Sequence, residues 1–156
     1  MPLATGTKRK KVLAVASGGG HWIQLMRLNP AFVDSDVVFV GVSNSYRDQV
    51  AGHRFYLVSD GTRWNKIGLL KMATALLWIH WKERPDVVVS TGAAPGYFAI
   101  LLGRFFGARA LWIDSIANVE CLSMSGEMVG RHADLWLTQW PQLERPQGPY
   151  FRGSVL

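Results

Sequence analysis

Two short apolar runs, each ending in a glycine-rich turn that opens a helical stretch, constrain the fold more than any other feature of the chain. The first, residues 12–16, ends in Ser17-Gly18-Gly19-Gly20 and leads into a helical pattern over 21–28 that Asn29-Pro30 closes. The second, Asp86-Val87-Val88-Val89-Ser90, ends in the turn Thr91-Gly92-Ala93-Ala94-Pro95-Gly96. That turn opens a helix with Pro95 expected at its first position, reaching Phe106 and stopping at Gly107. A strand with one wet face alternates apolar and polar residues. A strand that stays apolar along its length is covered on both faces, as in a parallel sheet.

Further strands are expected over 37–42, 54–58, 110–113 and 135–138, and further helices over 67–81 and 123–131. Strands that alternate with helices in this way give an α/β fold, a Rossmann-like doubly wound parallel sheet. The expected organisation is a basic N-terminal tail over 1–11, one domain over 12–140, and a tail over 141–156. That tail carries Pro141, Pro146 and Pro149 and reads as a linker or docking arm rather than another layer of the fold. The length of 156 residues suits a single domain, and 49% hydrophobic residues suffice for a packed core.

The net charge is +6, and the run Lys8, Arg9, Lys10, Lys11 supplies four of the positive charges. Either the run is a solvated tail, or it is drawn to an anionic membrane face, where each basic residue contributes about 1 kcal/mol. The other basic residues are scattered and no helix-turn-helix or zinc-finger spacing occurs, so nucleic acid is not expected as a partner. The single cysteine, Cys121, cannot close an internal disulfide, which suits a reducing compartment. The four histidines are separated, so no metal site is expected. The basic run leads into a strand rather than an apolar signal core, so no signal peptide is expected, and no stretch reaches the ~20 apolar residues of a membrane span. The 67–81 helix is apolar nearly all round and extends only about 22 Å. Its excess apolar surface, with Trp78 and Trp81, suits a membrane interface, a partner surface or the domain's own core.

Ligands in open α/β sheets bind outside the carboxyl ends of the strands. Three segments should meet on that rim. Ser17, Gly18, Gly19 and Gly20 either form a bare tight turn or let the backbone approach a phosphate at a helix N-terminus. His21, in the first turn of that helix, is a candidate base or a packed structural histidine. Thr91, Gly92, Pro95 and Gly96 form the second segment. The third is Asp114-Ser115-Ile116-Ala117-Asn118-Val119-Glu120, followed by Ser123 and Ser125. It brings two candidate catalytic carboxylates, Asp114 and Glu120, and several hydroxyls suited to a sugar, unless these residues serve as helix caps. The glycine loop is neither G-x-G-x-x-G nor a Walker A loop.

Gly18-Gly19-Gly20-His21, Ser90-Thr91-Gly92 with Pro95-Gly96, Val119-Glu120-Cys121-Leu122-Ser123-Met124-Ser125-Gly126, Ala133-Asp134 and Gln139-Trp140-Pro141 occur in that order. Together they resemble the membrane-associated subunit of the eukaryotic N-acetylglucosaminyltransferase that extends dolichol-linked chitobiose. They resemble more closely still the bacterial relatives of that subunit in exopolysaccharide biosynthesis. The likeness runs over roughly residues 12–143. It implies the N-terminal, acceptor-side half of a GT-B glycosyltransferase split into two chains, similar to the first domain of the peptidoglycan lipid-intermediate glycosyltransferase. A partner subunit, a GT-B C-terminal half, would hold the nucleotide-sugar donor. Gly19, Gly20 and His21 would then face the polyprenyl-linked acceptor and the donor phosphates, with no cofactor held by this chain. Where the family usually has Glu-Ser and an arginine before valine, this chain has Asp114 and Asn118. The eukaryotic subunit carries an N-terminal membrane helix, whereas this chain offers none, so contact with the cytoplasmic face of the inner (plasma) membrane is expected to be peripheral. Two other readings stand beside this one: a stand-alone nucleotide- or phosphate-binding protein, and a non-catalytic membrane adaptor.

Overall fold

The computed structural model describes residues 7–155; residues 1–6 of the expected tail, and Leu156, lie outside them. Among the described residues, seven parallel strands form one sheet in the order β3-β2-β1-β4-β5-β6-β7. They are β1 (Lys11–Val15), β2 (Asp36–Gly41), β3 (Arg54–Leu57), β4 (Val87–Ser90), β5 (Arg109–Ile113), β6 (Leu135–Thr138) and β7 (Tyr150–Phe151). The helices are α1 (Gly20–Arg27), α2 (Lys66–Glu83), α3 (Ala93–Phe105) and α4 (Met124–Val129). Every strand expected from the sequence is present to within a residue, as is the alternation that places helices between them.

Side chains alternate across a strand, so each buried strand feeds two cores. Leu13 and Val15 of β1 join Val38 and Val40 of β2 in a cluster with Met72, Leu76 and Ile79 of α2 and Ala99 and Ile100 of α3. Ala14 and Ala16 face the other way, with Val37, Phe39 and Phe55, against Trp22 and Leu25 of α1. The uniform apolar character of the strands thus reflects two covered faces.

Three boundaries differ from the sequence expectation. The tail expected over 141–156 is no linker over its described residues, 141–155. It turns back through a 3-10 turn at Pro141–Leu143 and adds β7 beside β6, with Tyr150 opposite Leu137 and Phe151 opposite Thr138. A two-residue strand has no periodicity to read, and it forms only because β6 offers an open edge. Lys11 does not belong to the free basic tail. It opens β1, and its Nζ donates to the Glu83 carbonyl at 2.9 Å and lies 3.3 Å from the Glu83 carboxylate. Pro95 is the third residue of α3 rather than the first. The first N–H groups of a helix have no internal partner, so proline fits there without losing a bond.

At the foot of the sheet Glu83, 4% exposed, receives Lys11, Arg54 at 2.9 Å and the Tyr56 hydroxyl. Burial, with Glu83 beside it, pushes the Tyr56 hydroxyl up to about 12. Two cations and a neutral donor satisfy a carboxylate that would otherwise be costly to bury.

Candidate functional site

The strand order reverses between β1 and β4: the chain winds outward from β1 through β2 to β3, and from β4 through β5 to β6 on the other side. The crevice outside the carboxyl ends of these two strands is the topological switch point, where open α/β sheets place their ligands. The two glycine loops picked out in the sequence form its lips. Gly19 precedes α1 with φ 61, and Gly92 precedes α3 with φ 144; both lie in the left-handed region that glycine adopts without strain. Ala93, the next residue, holds φ 65 without that freedom, a local strain of a kind that gathers at functional sites.

The caps set these two helices apart. Asn65 caps α2 by accepting from the Gly68 amide, and Ser123 caps α4 by accepting from the Gly126 amide. Among the described residues, neither α1 nor α3 has a side-chain cap. First-turn N–H groups are therefore left open on both sides of the crevice, an arrangement that suits an anion at the positive ends of two helix dipoles.

His21 joins the lips. Its Nδ1 lies 3.0 Å from the Thr91 carbonyl, and the Thr91 hydroxyl donates to the His21 carbonyl at 2.6 Å. A carbonyl only accepts, so Nδ1 carries the proton and the neutral ring keeps its lone pair on Nε2. Gly92 makes this possible, because a Cβ there would overlap His21 Nδ1 and Cε1. His21 is half-buried, while Gly19 and Gly20 are exposed.

The other residues of the second loop lie beneath the surface. Thr91, Gly92, Pro95 and Gly96 are all buried, so they shape the crevice rather than line it. Gly96 is required because a Cβ would run into Ser90 Oγ, whose hydroxyl accepts from the Gly92 amide at 3.2 Å. Ser17 is also buried.

Asp114 is not a free carboxylate. It is 1% exposed, and one oxygen accepts from the Trp112 indole at 3.1 Å and the Ser123 hydroxyl at 2.5 Å. The other accepts from the Asn118 amide at 3.1 Å and the Ser123 backbone N–H at 2.9 Å. With two donors on each oxygen it folds the 114–123 loop and has no face toward a substrate. Ser123 is spent in the same hub, as donor to Asp114 and cap of α4. Ser115 is buried and accepts from Gln24 at 3.1 Å. Ser125 is half-buried in the first turn of α4, and Glu120 is exposed and takes part in none of these bonds.

Three further residues hold the site together: Tyr46 and Gln24, which the sequence did not single out, and Gln139, which it marked only as part of Gln139-Trp140-Pro141. Tyr46 stacks on Trp22 at 4.4 Å and accepts the Gly19 amide at 3.0 Å. Gln24 of α1 donates to Ser115 and accepts from the Ile116 amide and from Gln139. Gln139 also reaches the Asp114 carbonyl at 2.9 Å and accepts from the Val155 amide. A glutamine at a core-facing helix position was the available signal for Gln24, since a buried amide needs partners.

The sequence matches the family described as "Oligosaccharide biosynthesis protein Alg14 like" over residues 65–152, more than half of the chain. The chain belongs to the Alg14 family. A relative from Homo sapiens, "UDP-N-acetylglucosamine transferase subunit ALG14", is 26% identical over 165 residues, covering 85% of this chain and 76% of the relative. A relative of the same name from Yarrowia lipolytica is 35% identical over 140 residues, covering 86% of this chain and 62% of the relative. Among solved structures, Acinetobacter baumannii MurG superposes with a TM-score of 0.74 at 15% identity, over 93% of this chain and 45% of MurG. A UDP-N-acetylglucosamine 2-epimerase from Rickettsia bellii gives 0.66 at 16% identity, over 85% of this chain and 39% of the epimerase. The chain therefore spans less than half the length of these structural neighbours. The likeness places this Alg14-family chain in the Rossmann-like GT-B class of folds.

The residues expected at a membrane lie away from the crevice. Lys8, Arg9 and Lys10 are exposed at the entry to β1, and Trp78 and Trp81 are 48% and 61% exposed on α2. Lys10, Trp81, Arg84 and Arg109 line one cleft of about 520 Å³, so the basic run and the outer face of α2 converge at the foot of the sheet. No helix among the described residues is long and apolar enough to cross a membrane.

Proposed function

We propose that this Alg14-family chain is the acceptor-side subunit of a glycosyltransferase, and that a donor-binding partner subunit completes it. The reaction is transfer of a sugar from a nucleotide-sugar to a polyprenyl-pyrophosphate-linked saccharide in polysaccharide biosynthesis. The observation that carries this reading is the His21–Thr91 clasp between two uncapped helix N-termini. His21 Nε2 takes the proton from the acceptor hydroxyl as its oxygen attacks the anomeric carbon. The bond from that carbon to the diphosphate breaks, and the nucleoside diphosphate leaves with the electron pair. The open N–H groups of Gly20 and its neighbours steady phosphate charge. No cofactor is invoked. The names of the relatives make UDP-N-acetylglucosamine the first donor to test.

The chain works at the cytoplasmic face of the plasma membrane, held peripherally by Lys8, Arg9 and Lys10 and by the outer face of α2. Basic residues near an anionic surface contribute about 1 kcal/mol each, a share that salt screens. Burial of Trp78 and Trp81 adds an apolar share that salt does not screen.

The test is transfer by the chain reconstituted with its partner. His21→Ala is expected to lower kcat by about 10²-fold or more, the usual range for a general base. Full activity in that variant would leave only an adaptor role. Calorimetry with UDP-N-acetylglucosamine separates the stand-alone reading, because tight donor binding by the isolated chain would contradict a divided site. Flotation with anionic liposomes tests the membrane contact, which fails if the chain and its pair never float.

A further inference from the structure

The rim of the crevice has a fourth segment, on the far side of the glycine loop from Thr91. β1 stands between β2 and β4, so the loop after β1 is flanked by Thr91 on one side and by the turn after β2 on the other. That turn, Ser43-Asn44-Ser45-Tyr46, opens a 3-10 stretch over Asn44–Val50, and the Ser43 side chain accepts from the Ser45 amide at 3.3 Å. It brings the Tyr46 hydroxyl to within 3.0 Å of the Gly19 amide. Several residues fit this ring in place. Trp22, 1% exposed, stacks on it and donates to Gln49 of the same stretch at 2.9 Å. A Cβ at Gly41 would stand 3.2 Å from Tyr46 Cδ2, and one at Gly18 would stand 3.1 Å from the hydroxyl, both tighter than ordinary contact.

A phenol both accepts and donates. Tyr46 spends its acceptor side on Gly19, and among the described residues that amide is the one polar partner of its hydroxyl, so the proton is left over. Support of the loop alone would need only the acceptor. The amide that donates into the oxygen also polarises the O–H, which makes it a stronger donor than a free phenol. The stacked ring fixes the oxygen before any ligand arrives, so little side-chain freedom is lost on binding. Tyr46 is half-buried and Gly19 is exposed, so a ligand on the loop can reach this donor.

We propose that Tyr46 is a substrate-contacting residue of the crevice, whose hydroxyl donates to a diphosphate oxygen held at the glycine loop. The proposal rests on the transferase reading given above and deepens it: His21, on the β4 side of the loop, accepts a proton, while Tyr46, on the β2 side, grips the phosphates. The diphosphate of a nucleotide-sugar and the pyrophosphate of a lipid-linked acceptor share this chemistry.

The test is titration of the full chain with inorganic pyrophosphate, followed through the nitrogen-15 amide signals of Gly19, Gly20 and His21, which separates the loop from the basic run. Tyr46→Phe keeps the stack on Trp22 and should weaken binding at these signals about tenfold, the size of one hydrogen bond to a charged group, with an unchanged circular dichroism spectrum. Tyr150→Phe, in β7, should leave it within twofold. A ring-fluorinated tyrosine at position 46 divides the two roles of the hydroxyl, because fluorine makes a phenol a better donor and a poorer acceptor. At a pH where that phenol stays protonated, the bond from the Gly19 amide should weaken while pyrophosphate binds more tightly. Binding that is unchanged or tighter in Tyr46→Phe overturns the proposal. Weaker binding by the fluorinated chain also overturns it and leaves Tyr46 a support of the loop, and so does pyrophosphate that moves none of the three signals. In the reconstituted pair Tyr46→Phe should raise KM about tenfold and change kcat less. The rise falls on the nucleotide-sugar if the donor's diphosphate is gripped, and on the lipid-linked acceptor if its pyrophosphate is. If Tyr46 behaves as expected toward pyrophosphate but the wild-type pair transfers no sugar, the contact stands and the transferase reading falls. If the pair transfers sugar and Tyr46→Phe leaves both KM values unchanged, the contact falls alone.

Discussion

Gly92→Ala is the substitution that most directly probes the crevice. Gly92 sits at φ 144, ψ 178, a region open essentially to glycine alone, so alanine there costs about 1–3 kcal/mol in backbone strain. The added methyl would also overlap His21 Nδ1 and Cε1, both well inside ordinary contact. To restore contact distance the ring must retreat by roughly 1 Å. That retreat breaks the 3.0 Å bond from Nδ1 to the Thr91 carbonyl, which fixes the tautomer. A misplacement of about 1 Å at a reacting group can cost on the order of 10²-fold in rate. The variant should therefore unfold about 1–3 kcal/mol more easily in urea and, still folded, transfer sugar roughly 100-fold more slowly when paired with its partner. Nitrogen-15 spectra of His21 should change from a fixed Nδ1–H form to a mixture of tautomers. A variant with the wild-type rate and an unchanged His21 spectrum would refute the clasp as a determinant of activity.

Asp114→Ala strands the Trp112 indole, the Asn118 amide and both Ser123 donors, and should destabilise the chain by about 3 kcal/mol or more, read as a lowered urea midpoint at constant slope. A loss below about 1 kcal/mol would mean that water replaces the carboxylate. His80 is buried with Nδ1 2.7 Å from the Leu76 carbonyl and Nε2 3.1 Å from the Ala99 carbonyl. Burial lowers its pKa from 6.5 against the opposing pull of those carbonyls. The neutral ring's stabilisation is thus complete above pH 6.5 and is lost as pH falls below it, by up to about 1.4 kcal/mol per pH unit. His80→Gln should remove that component of the acid slope, and an unchanged slope would place the sensitivity elsewhere. Reversing Lys8, Arg9 and Lys10 to Glu should weaken liposome flotation mainly at low salt, whereas Trp78→Ser with Trp81→Ser should weaken it at every salt concentration. Identical salt profiles for the two variants would contradict the division into charged and apolar shares.

Much of this protein is written locally. Residues 12–16 and 86–90 read as doubly covered strands because β-branched and apolar residues filled them almost throughout, and the structure pairs them at the centre of the sheet. Gly19 and Gly92 read as turns because no other residue takes their backbone angles freely. Those local signals, with the rule for parallel strands, place the crevice before any coordinates are known. Contacts between distant segments decided the rest. Asp114 looked like a catalytic carboxylate because a sequence shows a residue's chemistry but not its burial, and only packing supplied four donors to it. Lys11 looked like the end of a charged tail until Glu83, 72 residues away, drew it into the sheet. β7 carried no pattern of its own and exists because β6 left an edge to pair with. Tyr46 and Gln24 gain their roles only from partners 27 and 91 residues distant, a separation that leaves no periodic trace in the sequence.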